Sequence, residues 1–92
     1  MKAIRKKTGC APEVIEVENT LKALQDEVGG YIETVTLASD AVVICNEEGC
    51  IIGLPDNGRV CGVDVVGTVL VVGVNGPEFC DVPAFMRVVQ HD

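Results

Sequence analysis

Tryptophan is absent from this 92-residue chain, and Tyr31, Phe79 and Phe85 are its only aromatic residues. The core must therefore be built from valine, isoleucine, leucine and alanine. The many valines favour strands, because a β-branched side chain loses χ1 freedom on a helix. Histidine occurs once, at His91, so neither Cys45 nor Cys80 has an obvious histidine with which to form a nucleophilic dyad. Five cysteines are an odd number, and their spacing contains no CxxC. That pattern argues against a disulfide framework and against a zinc site. Buried free thiols acting as small hydrophobes are the expectation. The longest apolar stretch, Val65 to Val74, is interrupted by Gly67 and Gly73 and is too short to span a bilayer. No GxGxxG or GxxxxGK[ST] loop occurs, which removes the usual phosphate-cradling fingerprints.

Positive charge is also scarce. The net charge is −7, and four of the seven basic residues fall within the first seven positions. From residue 8 onward Lys22, Arg59 and Arg87 face 14 acids. Such a surface repels phosphate backbones and excludes sequence-independent nucleic-acid binding, while suiting solubility or a basic protein partner. The basic N-terminal residues are not followed by an apolar stretch of the kind a secretory signal needs. Together with the cysteine usage this gives the expectation of a cytoplasmic protein with no membrane span.

Apolar residues make up 48% of the chain, enough for one folded domain with a modest core. The stretch from Thr20 to Leu37 organises it. Leu21, Leu24 and Val28 share one helical face, Asn19 or Thr20 is suited to cap the start, and Gly29 is suited to close the last turn. Tyr31 to Leu37 then changes to the period-two pattern of a strand. Ahead of this stretch, Met1–Lys7 and Glu13–Glu18 read as two strands, with Ile4 inward on the first and Ile15 and Val17 on one face of the second. One is basic and the other acidic, so they suit an antiparallel hairpin with opposite charges across it. On this reading the N-terminal basic patch answers its neighbour and binds no ligand.

After the helix, Ala38-Ser39-Asp40 reads as a turn and Ala41–Cys45 as an inner strand. Asn46-Glu47-Glu48-Gly49 has the composition of a hairpin loop, with Gly49 supplying a positive φ and Cys50–Ile52 returning as the partner strand. Gly53–Arg59 is dense in turn residues. Val60–Asp64 leads into Gly67–Val74, the most strand-like segment. Glu78–Val82 then returns as an edge strand, with Asp81 placed to cap a short helix over Pro83–Gln90. The order predicts an α+β fold: a curved, mainly antiparallel sheet packed on one central helix, in the order β-β-α-β-β-β-β, with a short C-terminal helix. The other sheet face, or the edge strands, is left to be covered, which predicts a homo-oligomer.

At TLKALQDEVGGYIETVTL, followed by VICNEEG, GLPDNGR and VGTVLVVG, the chain resembles a family of small proteins carried mainly by phages and other bacterial mobile elements. The family is known as domain of unknown function 3846. The resemblance runs from about Glu13 to Gly73 and implies a non-enzymatic accessory protein acting in a bacterial host.

The GLPDNGR segment is the foremost candidate site, because it concentrates Pro55, Asp56, Asn57 and Arg59. A lone arginine in an acidic sequence is suited to bidentate recognition of a phosphate or carboxylate. Its plainer alternative is an arginine bridging Asp56 or Glu47. Tyr31, with apolar ring faces and a hydroxyl, is suited to stack a base or simply to lie over the end of the helix. Glu47 and Glu48 at a solvated hairpin tip lack the environment of an acid–base pair, so neither catalysis nor a cofactor is expected. Two readings follow. In the first, an oligomer binds and sequesters a nucleotide-type signal through Arg59, Asn57 and Tyr31, countering a host defence. In the second, the acids Glu13, Glu16, Glu18, Asp26, Glu33, Glu47 and Glu48 occupy a basic nucleic-acid-binding groove on a host defence enzyme.

Overall fold

The computed structural model describes residues 1–89, with side chains described through Met86. Gln90, the end of the expected C-terminal helix, and His91 lie outside the described residues. Ten elements follow one another: β1 (Lys2–Lys6), β2 (Glu13–Glu16), α1 (Leu21–Val28), β3 (Ile32–Ala38), β4 (Ala41–Asn46), β5 (Asp56–Val60), β6 (Val63–Val66), β7 (Val69–Asn75), β8 (Glu78–Cys80) and α2 (Ala84–Val89). The fold is α+β and its pairings are antiparallel, as expected.

The valine-rich segments sit at the centre because both their faces are buried. In the main sheet the order is β2-β1-β7-β4-β3. Along its other edge β7 pairs first with β1, through Val69–Val71, and then with β8, through Gly73–Asn75. Successive side chains of β7 alternate between faces, as the strand period of two requires. Leu70 and Val72 join Ala3, Val42, Ile44, Leu24 and Val28 under the helix. Val69 and Val71 join Ile4, Val43, Val65 and Val82 on the opposite face.

The helix connects β2, at one edge of the sheet, to β3, at the other. It is closed at both ends by the residues placed there. Thr20 Oγ1 accepts from the Ala23 N–H at 3.2 Å, and Gly29 adopts a left-handed φ of 81° while its N–H donates to the Gln25 carbonyl at 2.8 Å. Leu24 and Val28 are buried as predicted, but Leu21 is 59% exposed. At 3.6 residues per turn Leu21 points about 60° to one side of Leu24, on the flank of the apolar stripe, and Ala23 is partly buried instead.

The remaining face is covered by the chain itself. β5 and β6 form a separate two-stranded ribbon. Val60, Val63 and Val65 of this ribbon, with Val82 and Met86 from the C-terminal segment, pack on that face. The exposed sheet face that motivated an oligomer is therefore not left open. Because β4 has β3 on one side and β7 on the other, no edge is free for Cys50–Ile52, and the predicted hairpin partner does not form. Residues 47–53 form a turn instead, closed by hydrogen bonds from Ile52 N–H to the Glu48 carbonyl (2.9 Å) and from Leu54 N–H to the Gly49 carbonyl (2.9 Å). Gly49 is not among the glycines with positive φ. It is needed for space, since a Cβ there would lie 2.9 Å from a methyl of Val66. Asp81 does not cap α2; its Oδ1 accepts from the Lys2 N–H at 2.8 Å. No helix among the described residues is long and apolar enough to cross a membrane.

Candidate functional site

Strand alternation sends consecutive residues of β1 to opposite faces, and Arg5 and Lys6 use this to hold two layers onto one strand. Arg5 points to the helix side. Its Nη1 donates to both carboxylate oxygens of Glu27 on α1, at 3.1 and 3.4 Å, and its Nη2 to Glu13 on β2, at 3.0 Å. These two carboxylates raise the Arg5 pKa, Glu27 contributing most. Lys6 points to the ribbon side, where its Nζ donates to Asn57 Oδ1 at 2.6 Å and to the Asn57 carbonyl at 3.0 Å. The expected cross-strand charges are also present: Lys2 meets Glu16 at 2.6 Å and Arg5 meets Glu13 at 3.0 Å, in matching register. The basic patch therefore answers three neighbours rather than one.

Asn57 is 3% exposed and its amide is fully engaged. Its Nδ2 donates to the carbonyls of Lys6 (2.9 Å) and Gly67 (2.7 Å), while Oδ1 accepts from Lys6. It fastens the ribbon to the sheet and presents no free group to a ligand; its route to a site is through Lys6. Lys6 is held by neutral oxygens, and among the described residues no carboxylate pairs with its charge.

Arg59 pairs across the ribbon with Asp64, Nε to Oδ1 at 2.7 Å, and both side chains are exposed. Asp64 thus takes the bridging role expected of Asp56 or Glu47, because β5 and β6 place Arg59 and Asp64 opposite each other. Only Nε is used, so the two terminal amino groups of the guanidinium have no partner among the described residues. Asp56 accepts from the Gly58 N–H, and the Pro55 carbonyl accepts from the Gly67 N–H at 2.8 Å.

Arg59 and Lys6 border the same groove, a cavity of about 280 Å³. Its wall is otherwise mostly apolar, with Ile4, Val60, Val71 and Phe85 among its residues. Tyr31 does not reach this groove. It lines a separate cleft with Gly29, Gly30, Asp26, Glu48 and Ile52. Asp56 lines a third groove, of about 210 Å³, with Glu33, Glu47, Asp64, Cys45 and Cys50. The five residues singled out from the sequence are thus distributed over several surfaces. Lys6 and Phe85 joined Arg59 unannounced. The period-two pattern of the first strand was the signal available for Lys6, since it separates that residue from Arg5.

The cysteines depart from expectation in burial. Cys10, Cys50 and Cys61 are exposed, Cys45 and Cys80 partly so, and all five are free thiols. Burial and the neighbouring carboxylate of Glu33 push the Cys45 thiol up. Among the described residues no cluster of three or more His, Cys, Asp or Glu is arranged to hold a metal ion.

Comparison with curated proteins and with solved structures gave no match. The chain does match, over residues 1–91, the family described as "Domain of unknown function (DUF3846)", and it belongs to that family.

Proposed function

We propose that this chain is a non-enzymatic binding protein that takes up an anionic small molecule of nucleotide type in the groove beside Arg59. The observation that carries this reading is the pairing of charge and apolar surface there. Two of only seven basic residues in a chain of net charge −7 border one largely apolar cavity. Lys6 is unneutralised by any described carboxylate, and Arg59 keeps both terminal amino groups available. A phosphate takes such donors well, Arg59 offering a planar fork and Lys6 a point charge. Phe85 and the aliphatic wall suit a planar base.

At about 280 Å³ the groove is just below the roughly 300–1,000 Å³ usual for small-molecule sites. A second copy closing over the ligand would complete the enclosure, which keeps an oligomer within the reading. Sequestration of a host nucleotide signal by a phage or mobile-element protein is the role we assign to such binding.

Calorimetric titration with a panel of mononucleotides and cyclic dinucleotides, with inorganic phosphate as control, tests this. A nucleotide that binds the native chain and binds Arg59→Ala at least tenfold more weakly supports the proposal. No binding across the panel refutes it. The competing reading, an acidic inhibitor of a host enzyme, is less well supported by the acids themselves. Glu13 and Glu16 already face Arg5 and Lys2.

A further inference from the structure

Tyr31, set aside by the Arg59 groove, stands at a second surface with a different character. Tyr31 is 67% exposed, Ile51 84% and Ile52 57%. Tyr31 and Ile52 face one cleft of about 420 Å³, together with Asp26 and Glu48. Turns favour glycine, proline, asparagine, aspartate and serine for stated conformational reasons, and two exposed β-branched residues meet none of them. Folding does not explain them, because their side chains bury little. Nor are they loosely held. The turn that presents them is closed by hydrogen bonds from Ile52, Gly53 and Leu54 N–H groups. Leu54 anchors it by packing against Gly49 and Gly67. The chain thus holds two isoleucines outward on a closed turn, Ile52 lining the same cleft as an exposed tyrosine, the arrangement of an interface anchor.

Charge selects the occupant. Glu48 has no cationic partner among the described residues, and Asp26 has only the exposed Lys22 one helical turn away, a weak contact. Gly29 and Gly30 line the cleft beside these acids, with Gln25 and Asn46. We infer that the cleft docks a cationic, amphipathic segment of a partner protein. An arginine or lysine would lie over the Tyr31 ring between Asp26 and Glu48, where ring quadrupole and carboxylates act in the same direction. An aliphatic neighbour on the same segment would pack on Ile51 and Ile52. A second copy of the chain is disfavoured because it brings its own net charge of −7, and nucleic acid because its phosphates meet acids. This surface is independent of the Arg59 groove.

The test is a ¹⁵N NMR titration of the full chain with two synthetic peptides of equal charge. One carries arginine and leucine in amphipathic helical spacing; in the other serine replaces leucine. The arginine–leucine peptide is expected to shift the amides of Gly29, Gly30, Tyr31, Ile51 and Ile52 and to bind at least tenfold more tightly than the serine peptide. Ile52→Ser should remove most of that preference, and Glu48→Lys should weaken both peptides at least tenfold, while each leaves the remaining spectrum, and nucleotide binding, unchanged. Tyr31→Ala serves as a further variant if either of these perturbs the fold. Equal binding of the two peptides, shifts dispersed over the acidic surface, absence of binding, or self-association through this cleft without peptide would each overturn the inference.

Discussion

Lys6 Nζ lies 2.6 Å from Asn57 Oδ1, and through that contact the β5–β6 ribbon is fastened to the sheet it covers. Asn57 returns two hydrogen bonds, to the carbonyls of Lys6 and Gly67, from a nearly inaccessible position. Asn57→Ala would leave both carbonyls without their donor, at a cost of about 2–4 kcal/mol. For a domain of this size the melting temperature should fall by about 10 °C or more. Asn57→Asp is expected to destabilise as well. It offers Lys6 a carboxylate but turns an acceptor toward two carbonyl oxygens. Thermal unfolding of the two variants checks this, and an Asp variant as stable as wild type would show that Lys6 alone holds the ribbon.

Gly73 is a test of close approach. A Cβ at this position would fall on the carbonyl oxygen of Asp81, and would meet Cys80 Sγ at 2.9 Å. Backbone cannot swing aside as a side chain can, so Gly73→Ala should force β8 off β7 and unseat the buried Val82 behind it. The expected loss is about 3 kcal/mol, read by denaturant unfolding.

The pairing of Glu16 with Lys2 gives a pH dependence of definite sign. The Lys2 hydrogen bond, and then its charge, hold the Glu16 carboxyl below the usual glutamate range. A carboxyl whose folded pKa is depressed contributes stability above its unfolded pKa and loses it as pH falls through the folded one. The contribution should therefore be present at neutral pH and disappear in the acid range below about pH 4. NMR titration of the Glu16 carboxyl should show its midpoint move up toward the ordinary value in Lys2→Met, with the Met1 ammonium still holding it down in part.

Thiol reactivity should follow exposure and ionisation together. Cys10, Cys50 and Cys61 are exposed, whereas Cys45 is partly covered and its thiol is pushed up by burial and Glu33. A thiol with a raised pKa supplies less thiolate at neutral pH. Limiting iodoacetamide followed by peptide mass analysis should label the three exposed cysteines well before Cys45.

Much of the fold was legible because its signals are local. The Thr20 and Gly29 caps, the opposite charges of β1 and β2, and the apolar runs of β4 and β7 each act through near neighbours or through burial on both faces. What escaped notice depends on tertiary placement. Nothing in Cys50-Ile51-Ile52 shows that both edges of β4 are already taken, and a β-rich tripeptide reads as a strand until they are. The ribbon escaped for a related reason: Asp56, Asn57 and Gly58 have turn composition, yet lie in β5, where Asp56 and Arg59 pair with β6 on either side of an irregularity in register. In the candidate site, Arg59 stood out by its rarity. Its neighbour Lys6 was hidden by treating the N-terminal cations as one patch, although alternation along β1 separates Arg5 from Lys6. Phe85 reaches the groove through the packing of the C-terminal segment, which no short-range pattern encodes.

We propose above that Arg59 and Lys6 bind a nucleotide-type anion at the apolar groove. Native mass spectrometry of protein purified gently from a bacterial host, followed by denaturation and identification of released small molecules, tests it most directly. The expected result is a complex that releases a nucleotide, and an Arg59→Ala protein that carries little or none. A ligand-free native protein whose melting temperature is unmoved by a nucleotide panel would contradict it.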